Sequence, residues 1–225
     1  MALNRGPRIV TNGLTLCLDA ANRNSYPGSG NTLLDISGNN YTHTLNNISS
    51  LSTVNGVSCF NVSSNGYIVD AGTTFTLGNS HTLIAWARAL ADSEVVTWRT
   101  LWRTQPDDHP LLIQDSTNLM GYFDNNAASF VSYGLNIGTL GLENKWTMFS
   151  VVASGGSSTL YINNGSSSGT VAYSAAGTSH DAIGNIVPAN QPFGYVAIAQ
   201  IYANRALSLS EIRQNYNATK TRFGL

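Results

Sequence analysis

Residues 193–225 read FGYVAIAQIYANRALSLSEIRQNYNATKTRFGL, and their period changes partway along. Over residues 193–202, Phe193, Tyr195, Ala197, Ala199 and Ile201 share one parity, and Val196, Ile198 and Tyr202 share the other. Strand side chains alternate between faces, so both faces here are largely apolar. Such a strand belongs in the middle of a sheet with cover on both sides. From Leu207 the pattern is helical. Ser208 is placed as an N-cap, and Glu211, three residues on, completes a capping box. Leu207 and Ile212 occupy the two positions of a hydrophobic staple. Ile212 and Tyr216, four apart, share a helix face. The spacing predicts a helix over Leu209–Thr219.

Composition agrees with a sheet protein. The 225 residues fit one domain, or at most two. Charged residues make up 10%, against roughly 25% in an average globular domain. Solubility therefore rests on Asn, Ser, Thr and Gly, which suit strands joined by tight turns. The net charge is -1 with no basic or acidic block, which argues against an electrostatic grip on nucleic acid or an anionic membrane. No run approaches the roughly 18 apolar residues of a membrane span. The opening MALNRGPRIVTNG lacks the apolar centre of a signal peptide. Cys17 and Cys59 each sit in a strand-like run. Two buried thiols are expected in a reducing cytoplasm, with a disulfide open if those strands are neighbours. Two lone cysteines lack the paired spacing of a zinc motif.

Outward from the C-terminal stretch, strands are predicted at residues 14–19, 42–46, 81–89, 97–103, 110–115, 118–124, 145–153, 159–163, 171–174 and 180–186. Residues 57–62 and 66–70 read as a hairpin around Ser63-Ser64-Asn65. Asn164-Gly165 is a strong turn signal, since both residues tolerate positive φ. In the strand at 97–103, Trp98, Thr100 and Trp102 take one face, and Arg99, Leu101 and Arg103 the other. About a dozen short strands with regular turn signals read as an all-β sandwich.

Several phrases carry a family resemblance. Residues 13–22 read GLTLCLDAAN, and residues 193–218 contain GY-A-A-IY followed by NRALS, EI and NYNA. Between them, Trp146 opens an apolar run that leads through a turn to Leu160-Tyr161-Ile162-Asn163-Asn164-Gly165. Together these resemble concanavalin A-like lectin/glucanase domains of the laminin-G-like type, above all those in structural proteins of tailed bacteriophages. Thr82-Leu83-Ile84-Ala85-Trp86 fits the T-I-x-x-W phrase of that family. Phe60-Asn61-Val62-Ser63-Ser64-Asn65-Gly66-Tyr67 departs from its F-D-G-x-x-D-Y phrase and lacks both acids. The resemblance implies an antiparallel jelly-roll β-sandwich with one short C-terminal helix. Residues 1–13 are expected to form an N-terminal arm, and residues 14–225 a single sandwich domain.

A retaining glucanase needs two carboxylates about 5 Å apart, and the glucanase relatives carry them as Glu-x-Asp-x-Glu. This chain has only Glu94, Glu143 and Glu211, each alone in sequence, so no enzyme is expected. Asp107, Asp108 and His109 form a predicted loop, and Asp124, Asn125 and Asn126 end a nearby strand. Asp107, Asp108, Asp124 and Asn125 are a candidate oxygen set for Ca²⁺, which takes six to eight oxygens. The alternative is that these residues make turns by bonding their own backbone. Trp98 and Trp102 are candidates for a sugar-stacking platform, with Asp107, Asp108 and His109 beside it. The alternative is that both tryptophans belong to the core.

The function expected on this resemblance is a non-enzymatic virion structural protein. It would be a capsid decoration, fibre or tail-fibre component that displays a lectin-like module. Its expected partners are other virion proteins, further copies of itself and a cell-surface glycan. Nucleic acid and membrane are not expected partners. The arm, with Arg5 and Arg8 around Gly6-Pro7, is expected to dock on a larger acidic surface. A soluble carbohydrate-binding lectin and a glycoside hydrolase are the rival readings.

Overall fold

The structure, a computed structural model, describes residues 7–63, 65–72, 75–105, 108–173, 179–186 and 191–225. In chain order the strands are β1 (Leu16–Asp19), β2 (Thr32–Leu34), β3 (Thr42–Asn46), β4 (Ser52–Val54), β5 (Val57–Asn61) and β6 (Tyr67–Asp70). Next come β7 (His81–Ala89), β8 (Arg99–Thr104), β9 (Asp108–Ile113), β10 (Leu119–Asp124) and β11 (Ser129–Asn136). The last are β12 (Thr147–Ser154), β13 (Ser157–Ile162), β14 (Ser167–Val171), β15 (His180–Ile183) and β16 (Gly194–Tyr202), followed by helix α1 (Leu209–Thr219).

The strands form two antiparallel sheets packed face to face. The first has the order β14-β13-β12-β7-β16-β5-β4, and the second β11-β10-β9-β8-β15-β6-β3-β2. One edge of β16 is paired with β7 along its length. Its other edge is shared, with Tyr195 and Val196 on β5 and Ile198–Ile201 on β1. β16 is therefore an inner strand, as its two apolar faces require. The main core, with Leu83, Leu101, Trp102, Phe149, Ile183 and Ile201, lies between the sheets. A second cluster covers the outer face of the first sheet with Ile84, Trp86, Ile198, Tyr202, Leu207, Ile212 and Phe223.

Helix α1 supplies much of that cover. Ser208 and Glu211 form the capping box in full, with each side chain bonded to the other's backbone N–H. Leu207 and Ile212 are both buried. Trp86 stacks on Phe223 with centroids 4.0 Å apart, and its indole N–H donates to Thr219 Oγ1 at 2.7 Å. Residues 8–13, expected to belong to an arm, lie against this layer. Val10 N donates to Asn215 Oδ1 at 2.7 Å, Tyr202 OH donates to Val10 O at 2.7 Å, and Asn215 Nδ2 donates to Tyr202 OH at 2.9 Å. This closed triangle is buried, so every polar atom in it is matched where water cannot compensate. Residues 1–6, with Arg5, lie outside the described residues.

Three expectations are corrected. Residues 57–70 do not form a hairpin, because β5 belongs to the first sheet and β6 to the second. The hairpin is β4–β5, closed by Asn55 and Gly56 at φ 51° and 78°, the two-residue Asn-Gly turn that matches strand twist. Ser64 lies outside the described residues. At residues 163–166 the positive φ values belong to Asn163 and Gly165, not to Asn164. The parity read for β16 reverses at a register shift between Val196 and Ile198. Val196 therefore joins Ala199 and Ile201 in the main core, and Ala197 joins the outer cluster. Both cysteines are free thiols.

Two histidines are buried in the main core without hydrogen bonds. His43 and His180 are 0% and 1% exposed, their rings lie 5.6 Å apart, and none of their four ring nitrogens has a partner. Phe75 and Trp102 flank His180. Asp70, opposite His43 on β6, and Asp35 are the carboxylates near His43. Burial holds both imidazoles below the ordinary value of 6.5, and His43 adds to the effect at His180. The unfolded chain thus takes up protons that the folded chain refuses. Stability from this pair is complete above pH 6.5 and falls as pH drops below it, by up to about 1.4 kcal/mol per pH unit for each histidine. Urea midpoints measured between about pH 7.5 and pH 5 are expected to fall steadily below 6.5. In His43→Leu/His180→Phe that slope is expected to flatten. His81, which burial also holds below 6.5, supplies the remaining slope; a wild-type curve flat below pH 6.5, or a double variant with an unchanged slope, would contradict this role for the pair.

Candidate functional site

Helix α1 and residues 8–13 occupy the outer face of the first sheet, so the second sheet presents the more open face. Its chemistry is set on β8, β9 and β10 by two irregularities. On β8, Thr100 pairs with Leu112 and Trp102 with Leu111, so β8 carries one extra residue, Leu101. On β9, Gly121 pairs with Leu112 but Phe123 pairs with His109, so β9 carries one extra residue near Pro110. Proline has no N–H for the ladder and is at home in such a bulge. An extra residue reverses which face the following side chains take.

The two reversals sort the side chains. Leu111 and Ile113 point into the core. By simple alternation His109 would join them; past the bulge it turns outward beside Leu112 and Phe123. Asp108 turns the other way. Its Oδ2 accepts from Tyr173 OH at 2.6 Å and its Oδ1 from Asn125 N at 3.1 Å. Burial first, and then the bond to Asp108, raise the Tyr173 phenol far above its usual range. Trp98, just before β8, and Thr100 face out while Leu101 and Trp102 both face the core.

The outward side chains enclose a cavity of about 280 Å³ lined by Trp98, His109, Leu112, Phe123, Asn125 and Gln191. Trp98, Phe123 and Phe130 are each half-exposed. The Trp98 ring meets Phe123 edge to face at 5.7 Å and Phe130 at 5.3 Å, the geometry that aromatic quadrupoles favour. Phe130 lies across Gly121, where a Cβ would overlap the ring and Val131 O. Gly121 therefore permits the aromatic wall. Beneath it Thr100 Oγ1 donates to Gln191 Oε1 at 2.5 Å and lies 3.0 Å from His109 Nδ1. The hydroxyl proton serves Gln191, so Nδ1–H of His109 donates to Thr100. Thr100 N also donates to Gln191 O at 3.1 Å, which straps the Gln191 segment onto β8.

Next to the cavity, Arg103 is held by Asp181 at 3.2 Å and Asn185 at 2.9 Å, and Gln105 Nε2 donates to Asp181 Oδ1 at 2.9 Å. On the other side, Arg99 is fully buried and bonded to Leu90 O and Asn118, with Glu143 at 3.5 Å and Asp92 at 3.8 Å. Both arginines of β8 are thus engaged within the domain.

Of the residues expected in a glycan site, Trp98 and His109 are brought together and Asp108 lies behind them. Trp102 is corrected: it is 0% exposed, in the main core, and cannot stack on a ligand. Asp108 and His109 are corrected from loop to strand β9. Asp107 lies outside the described residues. The oxygens expected to hold Ca²⁺ have other uses. Asp108 serves Tyr173 and Asn125, and Asp124 Oδ1 accepts from Ala127 N at 2.9 Å. Among the described residues no three His, Cys, Asp or Glu side chains converge as metal ligands. Leu112, Phe123, Phe130 and Gln191 were not singled out from sequence. The alternation of Phe130, Ser132 and Gly134 against Val131, Tyr133 and Leu135 carries the strand signal for Phe130. Nothing periodic marks Gln191.

No protein-family model matches the chain, and no curated protein matches it. Solved structures do. Trypanosoma rangeli sialidase in complex with 2,3-difluorosialic acid, a covalent intermediate, aligns with a TM-score of 0.64 at 16% identity, over 99% of this chain and 35% of that one. The binding domain of botulinum neurotoxin serotype D aligns with a TM-score of 0.63 at 18% identity, over 92% and 52%. The serotype D ligand-binding domain in complex with N-acetylneuraminic acid gives 0.57 at 16%, over 92% and 51%. The chain thus spans about a third to a half of these structures. At such identities the likeness is one of fold, the two-sheet antiparallel sandwich.

Proposed function

We propose that this chain is a non-enzymatic carbohydrate-binding module whose sugar packs against Trp98 and Phe123 on the outer face of the second sheet. The observation that carries this reading is the half-exposed aromatic cluster set over a hydrogen-bonded Thr100–His109–Gln191 floor. Ligand pockets are mostly apolar with a few placed polar groups, and this one follows that pattern. A pyranose has the matching character, with C–H faces for the rings and hydroxyls for the amide and imidazole. The botulinum neurotoxin ligand-binding domain, about half of which aligns with this chain, is a sugar-complexed protein, and that likeness supports the reading. The non-enzymatic part is supported by the glutamates. Glu94 accepts from Ala91 N and Asn144, Glu143 accepts from Asp92 N and faces Arg99, and Glu211 caps α1.

Saturation-transfer NMR across a panel of simple glycosides is expected to show binding without release of reducing sugar. Trp98→Ala, a change at a half-exposed position, is expected to weaken it tenfold or more, about 1.4 kcal/mol. Binding unchanged by that substitution, or a panel with no binder, would contradict the reading.

The finer proposal is that the module is displayed on a tailed-phage virion, attached to other virion proteins. Its support is the sequence resemblance at both ends of the chain. An antibody against the chain is expected to label purified source particles in electron microscopy. Recovery of the chain only in the soluble fraction would leave a free lectin instead.

A further inference from the structure

The charges around the cavity narrow its ligand. We infer that the Trp98 cavity is a site for a single uncharged sugar ring and discriminates against sugars that carry a carboxylate. This rests on the reading of the cavity as a sugar site and adds the class of sugar.

Size is the first argument. Pockets for drug-sized ligands run from roughly 300 to 1,000 Å³, and the 280 Å³ here falls just below that range. One ring fits between the walls, with the rest of a glycan outside.

Charge is the second argument. Among the described residues no arginine or lysine lines the cavity. The two arginines nearest along β8 flank Thr100, and both are committed. Arg103 bridges Asp181 and Asn185 with its side chain 8% exposed, and Arg99 is fully enclosed by Leu90 O, Asn118 and two acids. Apart from Arg99, the charged residues next in sequence to the lining are Asp108 and Asp124. Asp108 precedes His109, and its carboxylate holds the backbone N–H of Asn125. Asp124 stands between Phe123 and Asn125 in the sequence and caps the following turn. A ligand carboxylate entering here sheds its water and meets no free cation among the described lining residues. Desolvating a charge without a partner is costly, whereas a hydroxyl exchanges one hydrogen bond for another.

Donor and acceptor roles are the third argument. Gln191 Oε1 is taken by the Thr100 hydroxyl, which leaves the amide N–H₂ as the group it can offer a ligand. That group meets a sugar hydroxyl oxygen or an acetamido carbonyl and carries no charge to reward a carboxylate. The neighbouring structures include sialic acid complexes, and an acidic sugar of that kind is expected to bind poorly here.

The test uses matched pairs that differ only at C6, methyl glucoside against methyl glucuronide and methyl galactoside against methyl galacturonide, with N-acetylneuraminic acid as a third anion. Titrations are run at about pH 8, where an ordinary imidazole is neutral. The neutral member of at least one pair is expected to bind about tenfold or more tightly than its acid. Its affinity is expected to change less than about twofold between about 0.05 and 0.5 M salt, as screening affects only charge-based binding. Trp98→Ala is expected to abolish the difference. Equal or tighter binding of the acid or of N-acetylneuraminic acid, lost in Trp98→Ala, overturns the inference and leaves the sugar site standing. Neutral-sugar binding that survives Trp98→Ala places the site elsewhere and overturns the inference. Binding of no sugar at all overturns the carbohydrate reading together with the inference.

Discussion

Period-two alternation governs every strand, and the candidate binding face depends on where it is broken. One residue too many in β8 and one in β9 decide which side chains reach solvent. With unbroken alternation Trp102 would share the face of Trp98, and His109 would share the core with Leu111. Instead Trp102 fills the core, where full burial of a large apolar side chain is worth roughly 1.5–3 kcal/mol. His109 meets Thr100 and Phe123 on the outside. Pro110 is suited to the second break because it has no N–H to leave unpaired. Gly121 completes the arrangement across the ladder by leaving room for Phe130.

The other sheet explains why this face is the one available. β16 is apolar on both sides, so its outer side needs cover. Helix α1, Phe223 and residues 8–13 provide it, held by the buried Asn215–Tyr202–Val10 triangle. Removing one member would strand two polar groups away from water, a larger loss than the bond itself. Residues 8–13 and the segment from Leu207 to Phe223 are therefore both gathered on the first sheet. An attachment to a partner through the termini would leave the Trp98 face pointing away from it.

Much of the fold was legible because the local signals were unambiguous. β3 and β7 have the predicted limits, and α1 starts at the capping box read from Ser208 and Glu211. What misled was non-local. β5 and β6 are consecutive strands with a turn between them, and no local pattern says that they part into different sheets. The bulges are silent too, since an extra residue leaves the composition of a strand unchanged. Trp98 and His109 were therefore identified by residue type, while Trp102 was misplaced by parity. Gln191 reaches the site only through tertiary contact with Thr100, which lies 91 residues away in sequence. Asp108 and Asp124 drew attention as oxygen donors, but turn and strand-end bonding absorbs them, the alternative their residue types had always allowed.

The most direct measurement is residue-resolved chemical-shift mapping of the whole chain with a bound neutral glycoside. The expected result is a footprint on the Trp98 indole N–H, the Gln191 side-chain amide, and the backbone of His109, Phe123 and Asn125. A second cleft of about 390 Å³, lined by Asn47, Ser50, Asn61, Ser63 and Asn65 among others, lies elsewhere on the surface and serves as an internal control. Shifts confined to that cleft, with the Trp98 indole unmoved, would contradict the assignment of the site to the outer face of the second sheet.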